Sequence, residues 1–541
     1  MGNILQNYLI LIFLLFWGSF AQGQVFQKEY KEWEIEDKNG EDYKVITAKE
    51  KGVAVILANT SFQKNSKRSL DVTFLDTSLE KVWEKSYLVD NTLDFIDYQY
   101  IKENIYILFE KPSNKYHVLR INVNDGSNEI ITYEEVKNFY VTDFSVLDSV
   151  LFLGGMVKDS PAVIMYNYKT GNSVVTPSIN QLKAYIVGMQ VDEEYGVVSV
   201  VLKSKNRSND HSVYIATYDL EGKLIFNFPL ERSLDYNFLT FRPMVTAEDE
   251  MMVLGTYALN SDDKTQGVYA LKTKDSHLEY LRFYDFGYFK NFFNYLEEKR
   301  YDRMMAKIVK KRENDKIYPL RFDVFVHNLK VVNDQIVFSG DIYEPINESS
   351  NSSLSYFNGY YTGWRDPYFR QVSTEGKGFD GEFVPAAMIL DPIPKNQPIS
   401  YGFTHVNSFA CGFNKDGVML WDNTFSDEDI EVDYPIEISN VYADYDSAVF
   451  LQVEEDLMRY KISGLKEFTD SVTVDSIAYL RPEEKSSYFD NGGVIDWYGP
   501  NFLASGIRKI KHKFNNDLTR EVFFLQKIVY IPRKKTAVEG N

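Results

Sequence analysis

The chain has 541 residues, 44% hydrophobic and 15% aromatic, with 39 Tyr, 38 Phe and only 16 Pro. That composition excludes a disordered chain and suits a strand-rich fold with a large core. A net charge of −19 repels phosphate backbones and argues against nucleic acid as a partner, and a single cysteine, Cys411, excludes an intramolecular disulfide.

Residues 1–24 read as a secretory signal peptide. No charged side chain occurs between Met1 and Gln24, and the apolar run from Tyr8 to Trp17 is too short to span a bilayer comfortably. Small residues follow at Gly18, Ser19, Ala21 and Gly23, so cleavage is expected after Ala21 or Gly23. The n-region holds no Lys or Arg, which leaves an uncleaved anchor as the alternative. Gln6 stands where myristoylation wants Ser or Thr. No Cys follows the apolar run for lipid attachment, and no second hydrophobic segment is long enough to cross a membrane. Export with almost no cysteine points to the periplasm or extracellular space of a Gram-negative bacterium, with peripheral membrane association left open.

From residue 25 onward one short phrase recurs. An apolar strand enters a tight polar turn, and a second strand leaves it, as in Phe74–Trp83, Ile121–Gly126, Tyr166–Gly171, Tyr218–Gly222, Leu271–Asp275, Phe413–Trp421 and Tyr460–Gly464. The first five starts, at 74, 121, 166, 218 and 271, lie 47, 45, 52 and 53 residues apart. Two strand candidates precede each turn; in the fourth unit the four strands are 183–188, 196–202, 212–218 and 223–228. Four short strands joined by hairpins make one antiparallel sheet, with Asp-Gly, Thr-Gly and Glu-Gly supplying the positive φ of the reversals.

The interval from 271 to 413 is 142 residues and breaks the rhythm. Two segments inside it do not read as repeat strands: a helical stretch over 288–316 and a polar, aromatic loop over 344–402. Removing their 29 and 59 residues leaves 54, and the last interval is 47. An eighth sheet assembles from 494–497, 502–506 and 521–530, with the N-terminal segment 26–36 as its missing strand.

A period near fifty with four strands per unit resembles the β-propellers. The expected fold is all-β, a single propeller over 25–541, with eight blades preferred and seven as the alternative, and with N- and C-terminal strands closing one blade. The chain lacks the Trp-Asp dipeptides of WD-type repeats and the paired glycines of kelch repeats. It is similar instead to an exported bacterial propeller family, a resemblance that implies architecture and no catalytic residues.

The interruptions carry the functional candidates. In 288–316, Phe289, Phe292, Phe293 and Leu296 make one stripe, and Tyr301, Met304, Met305 and Ile308 another; nine basic residues stand against five acidic ones. Lys307, Lys310, Lys311 and Arg312 are candidates for docking an acidic partner or a membrane surface, against stripes that simply pack on the propeller flank. In 344–402, Tyr360, Tyr361, Trp364, Arg365, Asp366 and Tyr368 are candidate ligand-binding residues, since aromatic faces beside charged groups suit sugars, peptides or a protein hot spot. The alternative is a loop that buries its own rings.

Asp427, Glu428, Asp429, Glu431 and Asp433 form the densest carboxylate cluster, but the ligand order of a calcium loop is missing; a solvated connector is expected. Asn122–Gly126 reads as a turn, and Cys411 as a buried hydrophobe. The six histidines, at 117, 211, 277, 327, 405 and 512, are far apart. No zinc, phosphate-loop or nucleophile-elbow motif occurs, so no catalytic residue, metal ligand or cofactor is assigned. The expected function is a non-enzymatic exported scaffold that binds a protein or glycan through its insertions and ring face. The alternatives are a carbohydrate-active hydrolase or lyase with carboxylates in the channel, and an envelope-assembly component docking through the basic helix.

Overall fold

In Lys67–Leu75 every second residue points inward: Arg68, Leu70, Val72 and Phe74 are buried while Ser69, Asp71 and Thr73 are half-buried. Such alternation commits one face of a strand to the interior, and its repetition builds the sheets. The computed structural model describes residues 23–532 except 36–40, 60–66, 91, 112–114, 135–138, 158–159, 177–183, 205–210, 232, 248, 261, 348–399, 427–429, 433–435, 455, 466–470 and 513–514. It is an all-β protein, an eight-bladed β-propeller. The chain divides into two compact units, Asp37–Glu437 and a second made by the segments up to Glu36 and from Ile438 onward.

The first unit holds blades 1 to 6, spanning 41–90, 94–133, 139–175, 184–231, 236–285 and 323–432. Blades 1 to 4 are four-stranded antiparallel sheets in simple chain order. In blade 5 the innermost strand is split into Tyr236–Phe238 and Arg242–Ala247. In blade 6 both the innermost and the outermost strand are split. Apolar side chains of facing sheets interlock: Ile56 and Val72 of blade 1 share a cluster with Ile105 and Ile107 of blade 2. Met252 and Leu254 of blade 5 likewise share one with Phe338 and Phe409 of blade 6.

The recurring phrase is the hairpin between the third and fourth strands. In blade 1, Phe74 pairs with Trp83 across it, their rings stacked with centroids 5.4 Å apart. Trp83 then reaches blade 2, its Nε1 donating to Val123 O at 2.7 Å. It also packs on the turn glycine Gly126, which has φ +66° and where an added Cβ would lie 3.0 Å from the indole. The expected turn over Asn122–Gly126 is present, and Asn122 Oδ1 and Asp125 Oδ1 accept from the backbone of Asn124 and Ser127. These oxygens serve the turn.

A second device recurs at the blade entrances. A buried or half-buried polar side chain donates to a backbone carbonyl in, or beside, the next blade's innermost strand. Arg68 donates to Leu93 O, Tyr116 to Phe139 O at 2.6 Å and Lys203 to Phe238 O at 2.7 Å. Arg242 donates through Nη2 to Val326 O at 2.6 Å and through Nε to His327 O at 3.1 Å.

The second unit holds blade 7 (439–476) and blade 8. In blade 8 the strands Glu484–Tyr498, Asn501–His512 and Asn515–Ile531 are joined by Gln24–Glu34, which pairs antiparallel with the C-terminal strand, Trp33 opposite Phe523. The N- and C-terminal strands therefore share one sheet, as expected. Arg508, with no exposed surface on its side chain, lies 4.2 Å over the Tyr479 ring and 4.5 Å over Phe524. Its Nη2 donates to Tyr30 Oη at 2.7 Å and its Nη1 to Asp456 at 3.4 Å. A guanidinium suits this position because it is weakly hydrated and stacks on aromatic faces.

Two expectations change. The helical stretch over 288–316 contains a helix, α1, only over Glu298–Arg312. Phe286–Tyr288 is a single 3-10 turn, and the segment from Phe289 to Glu297 is irregular. The strands flanking the aromatic insertion run on to Asn347 and resume at Ser400, so the first and last residues of 344–402 belong to blade 6.

Candidate functional site

Blade 6 receives both insertions, α1 before its first strand and the aromatic segment between its second and third. The aromatic turn that precedes α1 is held by the outermost strand, Met419–Phe425. The Asp422 carboxylate accepts the backbone N–H groups of Lys290 at 3.1 Å and Asn291 at 2.8 Å. Asn291 Nδ2 donates to Asp422 O at 3.0 Å, and Thr424 Oγ1 to Asn291 O at 3.0 Å. Burial pushes the Asp422 pKa up, while the two N–H bonds pull the other way. Because side chains satisfy these backbone groups, the segment does not need a helix. Phe289, Phe292 and Phe293 are buried all the same, with Phe292 stacked on Phe286 at 4.1 Å.

The second apolar stripe is helical and faces inward: Ile308 is buried, and Tyr301, Met304 and Met305 pack half-buried on the blade 5 and 6 core. Lys307, Lys310 and Lys311 are exposed, and among the described residues none of them forms an ion pair. Arg312 is held: its Nη2 donates to Gly287 O at 2.9 Å, and the guanidinium lies 3.9 Å over the Tyr288 ring.

Within the blade, a polar cluster that spacing along the chain did not reveal gathers around Asp341. His327 Nε2 lies 2.8 Å from Asp341 Oδ2, and His405 Nε2 lies 3.2 Å from Oδ1. Ser408 Oγ donates to Oδ1 at 2.6 Å, and Ser339 Oγ lies 3.1 Å from His327 Nδ1. A register shift at Ile342/Tyr343 sets His405 opposite Tyr343 and Ser408 opposite Asp341, so both reach the same carboxylate.

All five residues are at most 2% exposed. Burial works against charge on His327, but the carboxylates of Glu437 and Asp341 outweigh it and raise the pKa above the usual 6.5. Burial likewise opposes ionisation of Asp341, and the His327 and His405 rings outweigh it, holding the carboxyl well below its usual range. Both shifts favour the charged forms, and the pair is buried from solvent.

Ser339, His327 and Asp341 follow the chemical order of a nucleophile, base and orienting acid. The serine is 1% exposed. His405 offers one nitrogen, Nε2, to both Asp341 and Ser408. Among the described residues no group of three or more His, Cys, Asp or Glu side chains is arranged to hold a metal ion. The cluster ties the first three strands of blade 6 together and fixes their register.

Cys411, on the same hairpin, is fully buried, with its Sγ 3.5 Å from Phe338 O; burial raises its pKa well above the usual value and disfavours the reactive thiolate. The candidate ligand-binding residues Tyr360, Tyr361, Trp364, Arg365, Asp366 and Tyr368 lie outside the described residues. So do Asp427, Glu428, Asp429 and Asp433 of the acidic connector, while Glu431 lies exposed on a short strand, Ile430–Val432. The signal peptide over 1–24 falls almost wholly outside them too. No helix among the described residues is long and apolar enough to cross a membrane.

No family model matches the chain, and no curated protein matches it. Among solved structures it is similar to the β-propeller domain of the Trilobed protease from Pyrococcus furiosus, at 10% identity and a TM-score of 0.32 over 80% of this chain and 93% of that one. The polysaccharide lyase Uly1 is similar at 10% identity and a TM-score of 0.35, over 81% of this chain and 90% of that one. The chain spans 59% of a Synechocystis apocarotenoid oxygenase, covering 44% of itself at 9% identity and a TM-score of 0.29. Likeness at this level transfers no activity.

Proposed function

Taking the eight-bladed propeller as premise, we propose that the chain is an exported, non-enzymatic scaffold whose sixth blade presents a binding element to a protein or glycan partner. One observation supports this most. The hairpin that carries the aromatic insertion, Gln335–Asn347 with Ser400–Phe413, is the longest in the Asp37–Glu437 unit. It is pinned internally by the closed Asp341 cluster. Binding loops on rigid scaffolds follow this plan, and the cluster's polar groups are spent on one another.

Replacing 348–399 by a short Gly-Ser turn tests it. The expected result is an unchanged melting transition with loss of the partner recovered by the native chain from the cell envelope. Equal recovery by the shortened chain, or turnover of any glycan in a broad panel, contradicts the reading.

A further inference from the structure

The exposed side of α1 has a composition that helix stability does not account for. Seven of its fifteen residues are Lys or Arg and two are acidic. Cations in the last turn, Lys310, Lys311 and Arg312, complement the helix dipole. Lys299 and Arg300 in the first turn oppose it. Lys307, Lys310 and Lys311 are exposed and, among the described residues, outside every ion pair. This concentration of positive charge sits on a chain of net charge −19.

Beside it lies exposed apolar surface that is already ordered. Tyr288 is 59% and Val309 is 41% exposed. Val309 and Arg312 stand three residues apart on one side of the helix, and Arg312 is locked over the Tyr288 ring at 3.9 Å while bonded to Gly287 O. Ile308, on the adjoining side, packs against Gly287, where an added Cβ would approach it to 3.3 Å. The tyrosine and arginine are therefore fixed before any partner arrives, which lowers the entropy cost of binding. Tyr and Arg are among the residue types on which binding energy concentrates in protein interfaces.

We infer that the exposed face of α1, which runs from Val309 through Lys310 to Lys307 and Lys311 with Tyr288 and Arg312 at its Val309 edge, is a docking surface for an acidic polypeptide segment that carries an apolar side chain among its carboxylates. Charge complementarity selects the acidic residues, and the Tyr288–Val309 surface takes the apolar one. A bilayer fits less well, because the stripe a membrane helix would insert, Tyr301, Met304, Met305 and Ile308, is committed to the core. The inference names the chemistry of a second contact on the blade already proposed to bind, and it uses that reading only for the existence of a partner.

The test uses the mature chain, retaining 348–399, and short synthetic Asp/Glu-rich peptides with Phe, Leu or Gly at the centre. Lys-rich peptides and vesicles of phosphatidylglycerol are the comparisons. Fluorescence anisotropy at low and high salt is expected to show the acidic Phe and Leu peptides binding, and the Gly peptide binding less. The triple variant K307E/K310E/K311E is expected to weaken binding by about tenfold or more at low salt, and Val309→Ser severalfold; the melting transition falls slightly in the triple reversal, because Lys310 and Lys311 complement the helix dipole, and stays unchanged in Val309→Ser. Binding of vesicles without peptides, binding that the triple reversal leaves intact, or no preference over Lys-rich peptides overturns the inference. Repeating the assay with the 348–399 deletion separates the two sites: peptide binding persists there even if the insertion proves irrelevant, and envelope-partner loss in the deletion stands even if the peptides fail.

Discussion

Asp143 is a buried carboxyl with one oxygen unmatched. It lies on the innermost strand of blade 3 just after a bulge at Val141/Asp143, its Oδ2 accepting from Thr142 Oγ1 at 2.7 Å and its Oδ1 without a hydrogen-bond partner. Burial raises its pKa from 3.8 to about 6, with the Thr142 bond pulling weakly the other way. A folded-state pKa above the unfolded value means the native state binds the proton more tightly. The penalty for ionising Asp143 is therefore absent below the unfolded pKa of 3.8, grows as pH rises toward about 6, and persists above it. Asp143→Asn keeps the shape and the Thr142 bond while removing the charge. Denaturant titrations should find it more stable than the native chain at pH 8 by about 3 kcal/mol, with the gap closing toward pH 4; a gap independent of pH refutes the assignment. The Asp341 carboxyl differs in having two imidazoles and a hydroxyl within reach. Neither behaviour was legible beforehand, because Asp143 and Asp341 both read as single polar residues in apolar strands. His327 and His405 stand 78 residues apart and meet only through pairing across the insertion.

At the scale of the element, the aromatic turn and α1 show how a correct assignment of burial coexists with a wrong one of conformation. Phe289, Phe292, Phe293 and Leu296 have helical spacing, and three of them are indeed buried. Yet the backbone there is irregular, because its N–H groups bond to Asp422, which follows more than a hundred residues later in the chain. Local periodicity reports which side chains go inside; it does not report a distant carboxylate that replaces the helix's own hydrogen bonds. Asp422→Ala leaves the N–H groups of Lys290 and Asn291 without that acceptor, at about 1–3 kcal/mol for the buried one. Hydrogen exchange should show lost protection at Lys290, Asn291 and along α1, with blades 1 to 4 unchanged. Unaltered protection in the turn would mean that ring packing alone, Phe286 on Phe292 and Phe289, holds it. The hairpins were easier to read, since Gly126 and its counterparts mark the reversal within a few residues of the strands they join.

At the scale of the molecule, the repeat made the blade count legible because each unit is stabilised in the same way. Third and fourth strands close on a glycine or aspartate turn, and apolar faces pack on the next sheet. The devices that join one blade to the next, such as Arg242 on Val326 and His327, have no fixed spacing and had to be seen. Blade 6 departs from the common plan by accepting two insertions, and the account of function rests on that departure. Photo-crosslinking in living cells tests it most directly, with the reactive residue placed at Lys307 on α1 and, as controls, at the exposed outer-strand positions Ile130 of blade 2 and Val174 of blade 3. A discrete adduct from Lys307 and none from Ile130 or Val174 is the expected result. Equal adducts from all three positions, or adducts from the control blades alone, would contradict the claim that blade 6 is the binding blade.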